Sequence, residues 1–207
     1  MHLLVTDRLA CPRCGPEFGL ILLADELKER RVLQGALGCA NCRERYPVDD
    51  GFGDLRPSPR TPQPREGLEL GDDPEGALRL AALLGVREGP GLLFLSGSRV
   101  RHASRLAAMI EGIEVAAMHP DLRWEPETEG VSRIAIGERF PFYGGSLRGV
   151  VLEGEEGGER FDEGVRVLAP AARLVFYQPP DGTKARMRNE GMDLLMEAES
   201  VLVGVRK

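Results

Sequence analysis

The sequence predicts an α/β protein in two parts: a small N-terminal zinc ribbon, then a mostly parallel, doubly wound sheet that ends in an antiparallel hairpin. Three observations predict this fold class. All four cysteines lie in two CxxC pairs between residues 11 and 42. Four prolines follow between residues 56 and 65. Because proline donates no backbone hydrogen bond, this stretch cannot form a regular helix or strand. Beyond residue 74, helical and strand patterns alternate, which is typical of a parallel sheet covered by helices.

The cysteine pairs are Cys11 with Cys14 and Cys39 with Cys42, separated by 24 residues. Two thiolates on a tight turn can face one ion, and two such turns supply four sulfurs about 2.3 Å from a zinc ion. Such a site has no open position for a substrate, so it stabilises a small fold and does no catalysis. The spacing therefore predicts a structural zinc site. The alternatives are two disulfides, a single redox pair, or iron or an iron–sulfur cluster in the same cage.

Composition divides the chain into three segments. Apolar runs at 18–23 and 32–37 flank a charged stretch, which predicts two strands joined by a turn or a helical insert. We place the zinc ribbon at residues 1–56 and an extended, proline-rich linker at 57–73. Residues 74–207 form the predicted α/β domain.

The residues around the cysteines resemble a known family. Two motifs carry the resemblance, LACPxC at residues 9–14 and CxxxYPVxDG at residues 42–51. They are similar to those of the small zinc-ribbon proteins that act as activating subunits of RNA and protein methyltransferases. The resemblance implies that the ribbon docks on a methyltransferase domain.

Alternating patterns predict the elements of the α/β domain in order. A proline suits a helix start near residue 74, and Gly85 closes that helix. The other expected elements are a strand at 91–95, a helix at 100–110, strands at 113–118, 131–136 and 147–152, a helix around 159–168, a strand at 173–177, and a hairpin of 192–197 with 201–205. An acidic loop of Glu153, Glu155, Glu156 and Glu159 is expected to be solubilising.

Two strings in this domain resemble the class I S-adenosylmethionine-dependent methyltransferases. They are RFPFYGGSLRGVV at 139–151, before the fourth strand, and RVLAPAARLV at 166–175, before the fifth. That family's sheet also ends in an antiparallel hairpin. The resemblance implies a Rossmann-like methyltransferase fold and S-adenosylmethionine as cofactor, with the helices on either side of the third strand shortened or lost. The alternative is an unrelated doubly wound domain.

The expected cofactor residues are few. The family has a glycine-rich turn after the first strand, where the backbone approaches the cofactor closely. Here Gly97 is the only glycine of that turn, and Arg99 and Arg101 add bulk and charge. Glu138 matches the family's acidic step after the third strand. Gly97 and Glu138 are therefore the candidate cofactor-binding residues.

Other family positions are changed. His119 stands where the second strand should end in an acidic residue, and Asp121 follows only after a proline. At the end of the fourth strand, where the family often has a polar or acidic residue, Glu153 is the only candidate. No Ser/His/Asp or metal-ligand spacing joins His2, His102 and His119, so we assign no catalytic residue.

Two functional hypotheses follow. We favour a non-catalytic binding or regulatory protein in which a zinc ribbon is fused to a methyltransferase-like domain without its cofactor site. The alternative is an active S-adenosylmethionine-dependent methyltransferase that acts on RNA or protein through a divergent cofactor loop. We expect the ribbon to dock on its own domain, that of a second copy, or another methyltransferase. Leu9, Leu37 and Phe52 are the expected contact residues.

Charge and hydropathy restrict the partners. A net charge of −6 gives RNA binding no general electrostatic support. No apolar run approaches the roughly 20 residues that a membrane-spanning helix needs, and the first ten residues lack the pattern of a secretory signal. We therefore expect a cytoplasmic protein that does not bind membranes.

Overall fold

The computed structural model of the chain describes residues 1–155 and 157–207. Its strands are β1 (Ala10–Cys11), β2 (Gly15–Lys28), β3 (Arg31–Cys39), β4 (Arg45–Asp49), β5 (Phe52–Asp54), β6 (Gly91–Ser96), β7 (Ile113–Met118), β8 (Val131–Ala135), β9 (Leu147–Glu153), β10 (Leu168–Tyr177), β11 (Asp193–Ala198) and β12 (Val201–Val205). Its helices are α1 (Leu3–Thr6), α2 (Pro74–Leu84), α3 (Ala103–Met109), α4 (Gly154–Glu159), α5 (Phe161–Val167) and α6 (Thr183–Asn189), with 3₁₀ turns at Gly97–His102 and Pro120–Trp124.

The described strands form one sheet in the order β1-β2-β3-β4-β5-β8-β7-β6-β9-β10-β12-β11. Strands β8, β7, β6, β9 and β10 are parallel to one another. Strand β12 lies antiparallel between β10 and β11, which gives the expected terminal hairpin. The prediction of an α/β fold with a mostly parallel central sheet is confirmed.

Helices cover both faces of the parallel strands. On one face Leu80 of α2 and Leu106 of α3 belong to a buried cluster with Leu93 of β6. On the other face Phe161 of α5 and Met187 of α6 belong to a second cluster. The parallel strands are therefore buried on both sides, as their continuous apolar runs predict.

Most element boundaries follow local signals. The Asp73 side chain accepts a hydrogen bond from the Gly76 N–H at 2.8 Å, and α2 ends at Gly85, whose φ is 67°. The single helix predicted at 100–110 is instead a 3₁₀ turn followed by α3, because the turn starts at Gly97 in a left-handed conformation (φ 65°).

Two loops differ in length from an ordinary doubly wound domain. Only the 3₁₀ turn at Pro120–Trp124 lies between β7 and β8, and residues 136–146 before β9 contain no helix. The shortened helices are as expected. The acidic stretch predicted as a loop contains α4 instead, and Glu156 of that stretch lies outside the described residues.

The N-terminal strands extend the parallel sheet. Strand β5 pairs in parallel with β8, through Gly53 with Ile134 and Asp54 with Ala135. The next N–H, of Leu55, continues the ladder to the Ala135 carbonyl at 2.8 Å. Residues 1–54 and the α/β part are thus joined by backbone hydrogen bonds as well as by side chains.

The N-terminal hairpin is longer than expected. Strands β2 and β3 meet at Glu29 and Arg30, whose φ angles of 48° and 64° suit a tight hairpin turn. The charged stretch is therefore a turn with extended flanks, not a helical insert. Within the described residues, no helix is long and apolar enough to cross a lipid bilayer.

Candidate metal centre and cofactor cleft

The four cysteines converge at one point. Their Sγ atoms all lie within 4.8 Å of one another. Sγ of Cys11 is 3.8 Å from that of Cys42, and Sγ of Cys14 is 3.8 Å from that of Cys39. A tetrahedron with metal–sulfur bonds of about 2.3 Å has edges of about 3.8 Å, so the spacing is compatible with zinc. The structure thus brings together all four predicted ligands.

Neighbouring groups orient these sulfurs. The Cys14 N–H donates to Cys11 Sγ at 3.4 Å, as expected for a CxxC turn. The Tyr46 hydroxyl lies 3.4 Å from Cys11 Sγ, and the Asn41 amide donates to Cys14 Sγ at 3.3 Å. Such outer contacts fix ligand geometry and partly balance thiolate charge. Tyr46 comes from the YPV motif, which the sequence flagged only through family resemblance.

The first cysteine pair is connected to the α/β part through Glu163 and Arg166 of α5, here called the clamp. Arg166 donates to the carbonyls of Phe140 and Phe142 at 2.9 and 2.8 Å, and Glu163 accepts from the Phe140 N–H at 2.8 Å. The segment held in this way binds the first cysteine turn, since the Ala10 N–H donates to the Pro141 carbonyl at 3.1 Å. The first cysteine pair is therefore fixed to the α/β part through Ala10.

The clamp predicts a dependence of stability on pH. Burial raises the pKa of Glu163, but hydrogen bonds from Arg166 and the Phe140 N–H outweigh burial and leave that pKa lowered. The stabilisation is therefore present above the ordinary glutamate pKa and is lost as the pH falls through the lowered value. We expect Glu163→Gln to reduce the free energy of unfolding at pH 7 by about 1.5–3 kcal/mol.

Urea unfolding at pH 7 and at pH 3.5 tests this expectation. The difference between wild type and Glu163→Gln should shrink at the lower pH. The matched control is Glu190→Gln on the exposed surface, which should match wild type at both values. A difference that stays constant with pH would contradict the role of the ionised carboxylate.

Glu153, at the end of β9, occupies the turn after β6. Its carboxylate accepts hydrogen bonds from the Ser98 N–H at 2.6 Å, the Ser98 hydroxyl at 3.0 Å and Arg99 Nε at 3.0 Å. Arg99 also stacks on the Tyr177 ring, 4.1 Å from its centroid. A Cβ atom on Gly97 would lie 2.5 Å from Glu153 Oε2. This glycine turn is therefore approached closely by a side chain of the protein itself.

The other predicted residues lie apart from this contact. Gly97 lines a cavity of about 100 Å³ together with Met118, His119 and Ile136 from the ends of neighbouring strands. Glu138 is exposed and is not one of the residues that line this cavity. Arg101 lines a separate cavity of about 220 Å³.

Comparisons with known proteins were made for the whole chain. No family model matches it, and no curated protein matches it. Among solved structures it is similar to a geranyl diphosphate methyltransferase in complex with SAM, with a TM-score of 0.50 and 14% identity over 65% of this chain and 85% of that chain. The chain has a methyltransferase-like fold. At this identity the likeness shows the fold alone.

Two further structures are similar to the chain. One is a SAM-dependent methyltransferase from Aquifex aeolicus, with a TM-score of 0.49 and 15% identity over 66% of this chain and all of that chain. The other is a chain from the complex between the Haloferax volcanii Trm112 methyltransferase activator and a putative methyltransferase. Its TM-score is 0.48, with 13% identity over 63% of this chain and 88% of that chain.

A methyltransferase-like fold implies S-adenosylmethionine, and the residues present do not fit it. Pockets for ligands of drug size have volumes of roughly 300–1,000 Å³. The cavity beside Gly97 is about 100 Å³, and Glu153 fills the approach to the glycine turn. We derive no reaction step through this cofactor.

The three histidines have local structural contacts. His2 Nδ1 accepts from the Leu4 N–H at 3.1 Å and caps α1, while His119 Nδ1 accepts from the Asp121 N–H at 3.2 Å. Burial lowers the pKa of His102, with a further contribution from Arg101. Sequence reasoning noted these residues without a role, and the capping contacts of His2 and His119 are too local for a spacing motif to show.

Proposed function

We propose that this chain is a non-catalytic, zinc-stabilised binding protein with a methyltransferase-like fold. The observation that carries the proposal is the contact of the Glu153 carboxylate with the turn at Gly97. A cofactor that approached this turn would have to displace a carboxylate that accepts three hydrogen bonds, from Ser98 and Arg99. Hydrogen bonds to a charged group contribute about 1.5–3 kcal/mol each, so this displacement is costly.

Zinc has a structural role in this proposal. Cys11, Cys14, Cys39 and Cys42 would hold the ion, and four thiolates leave it no open coordination position. The ion would therefore supply folding energy to residues 1–54 and no chemistry. Iron in the same cage is the alternative that metal analysis decides.

The ribbon also serves as an internal partner. The edge of β8 would otherwise expose unpaired backbone groups, and β5 covers it. Of the expected contact residues, Leu9 forms a bridge with Phe142, and Phe52 belongs to the buried cluster that contains Leu122. Leu37 belongs to the buried cluster that contains both Tyr46 of the ribbon and Phe142 of the α/β part. We propose that this intramolecular docking takes the place of docking on a separate methyltransferase.

Calorimetric titration with S-adenosylmethionine tests the proposal. We expect no saturable heat and no rise in melting temperature at ligand concentrations up to about 1 mM, which corresponds to a binding free energy weaker than about −4 kcal/mol. An active methyltransferase titrated in parallel is the positive control. Saturable binding with a micromolar dissociation constant would overturn the proposal and favour an active methyltransferase with a divergent cofactor loop.

A further inference from the structure

We infer that residues 61–72, here called the strap, occupy the ligand cleft of the sheet in place of a nucleoside and keep it closed. The inference rests on the proposed function, since it explains why the cleft holds no cofactor. Open α/β sheets bind ligands outside the carboxyl ends of their strands, where the strand order reverses. In this sheet that point lies at β6, between β7 and β9.

Asp121 binds the strap directly. This residue lies just beyond the end of β7 and is only 3% exposed. Its Oδ1 accepts from the Glu66 N–H at 2.8 Å, and its Oδ2 accepts from the Leu68 N–H at 2.7 Å. A carboxylate in this place of a dinucleotide-binding sheet accepts hydrogen bonds from ribose hydroxyls. The strap thus presents two N–H donors where a ribose presents two O–H donors.

His119 makes a second contact with the strap. Its Nε2 lies 3.3 Å from Glu66 Oε2, while its Nδ1 accepts from the Asp121 N–H. Because Nδ1 is an acceptor, the proton of a neutral ring resides on Nε2 and points to Glu66. The cavity that remains beneath the strap is about 100 Å³ and has Gln63 and Glu66 in its wall.

Both ends of the strap are anchored. On the ribbon side Arg60 donates to Glu44 at 3.0 Å and stacks on the Tyr46 ring. On the helix side Arg105 Nε donates to Asp72 at 2.7 Å. A short segment fixed at both ends has a high effective concentration at the site between them, so two hydrogen bonds suffice to keep it docked.

The pKa of Asp121 is consistent with a strap held by the ionised carboxylate. Burial raises this pKa, but the N–H groups of Leu68 and Glu66 outweigh burial and leave it lowered. The strap is therefore held above the ordinary aspartate pKa and released as the pH falls through the lowered value.

The chemistry of the cleft selects the class of ligand. Met118, Ala135 and Ile136 give it an apolar wall suited to a base, and Asp121 suits a ribose. Glu153 takes up the space on the side of the cleft toward Gly97. With the strap released, the cleft has room for a nucleoside and little beyond it on that side.

The double variant Glu66→Pro/Leu68→Pro tests the inference in the full chain. It removes the two N–H donors that lie 2.8 and 2.7 Å from the Asp121 carboxylate, leaves Asp121 intact and suits a segment that is already rich in proline. Arg65 of the strap lies over the ring of Trp124, the single tryptophan of the sequence, so we expect release of the strap to shift the fluorescence emission of that residue. We also expect adenosine to bind at least tenfold more tightly than to wild type. Glu69→Pro is the matched control, because neither hydrogen bond to Asp121 comes from its N–H. Adding Asp121→Asn to the double variant should abolish adenosine binding.

Three results would overturn the inference. They are an unchanged Trp124 emission in the double variant, a shifted emission without adenosine binding, and adenosine binding to wild type as tight as to the variant. S-adenosylmethionine is titrated into every protein. Its binding to wild type would refute the proposed function. If S-adenosylmethionine does not bind and any of those three results is found, only the inferred role of the strap is refuted.

Discussion

Replacing Cys39 by serine is expected to leave the protein without bound zinc and with residues 1–54 largely unfolded. Binding of a structural zinc ion by four thiolates contributes about 10–16 kcal/mol of apparent free energy in small zinc domains. That is comparable to the whole stability of an ordinary domain, about 5–15 kcal/mol. Cys39 ends β3, which pairs with both β2 and β4, so a loose second cysteine turn affects three strands.

Metal analysis and circular dichroism measure both parts of this expectation. Wild type should carry about one zinc ion per chain by the ligand count of a four-thiolate site, and Cys39→Ser should carry none. Asn41→Ser is the matched control: this residue lies between the ligands of the second pair and only donates to Cys14 Sγ. It should keep its zinc. A metal-free wild type that remains folded, with a Cys11–Cys14 disulfide, would contradict the zinc site.

Much of the fold could be predicted from local sequence. Helix α2 shows its N-terminal proline and its final Gly85 in the sequence, and the structure places both as expected. The apolar runs of the parallel strands also show directly, because such strands are buried on both faces. These signals lie within a few residues of one another, and periodicity is enough to find them.

The joining of the two parts could not be predicted in this way. The β5–β8 ladder connects Gly53 with Ile134, far apart in sequence, and no local pattern specifies which strand edge pairs with which. The same holds for β12, which inserts between β10 and β11 although β11 precedes it. Sheet order depends on non-local contacts whose cost is loop closure, and sequence periodicity contains no information about that cost.

The candidate sites also differ in whether the local sequence could predict them. The cysteine cluster was predictable because its ligands must occur as close pairs. The contact of Glu153 with Gly97 was not, since it depends on how two strand ends meet across the sheet. The proline-rich stretch looked like a spacer because its composition shows only that it is extended, whereas its hydrogen bonds to Asp121 come from backbone N–H groups that have no sequence signature.

Replacing Arg133 by methionine is expected to lower the free energy of unfolding by about 3–5 kcal/mol, as for other broken buried ion pairs. The Arg133 side chain is 2% exposed and lies in β8, at the junction with the ribbon. It donates to the carbonyls of Asp50, in the turn before β5, and of Glu125, in the loop before β8. Its loss removes a charged donor from both carbonyls, and hydrogen bonds to charged groups contribute about 1.5–3 kcal/mol each.

The charged residues around Arg133 add to the expected loss in the free energy of unfolding. Glu127 lies 3.2 Å from Arg133 Nη2 and also pairs with Arg31 of β3. Arg31 in turn lies 3.3 Å from Glu114 of β7, whose carboxylate accepts from the Ser132 hydroxyl at 2.7 Å. The network alternates two arginines with two glutamates across the ribbon junction. Burial lowers the pKa of the Met1 amino group, which lies 3.6 Å from Glu127, to about 6, so this group is largely neutral at pH 7. Removing Arg133 therefore leaves the two carboxylates with one full positive charge between them, which a low-dielectric interior disfavours.

Urea unfolding measured for Arg133→Met and for Arg188→Met separates this network from a general effect of removing charge. Arg188 is exposed on α6, so its replacement should change the free energy of unfolding by less than about 0.5 kcal/mol. Methionine keeps the long apolar stem, so lost packing contributes little to the difference between the two variants. A loss below about 1 kcal/mol for Arg133→Met would be that of an ordinary exposed ion pair. The ribbon would then be held by the β5–β8 ladder and its apolar contacts, with the buried charges contributing only to its register.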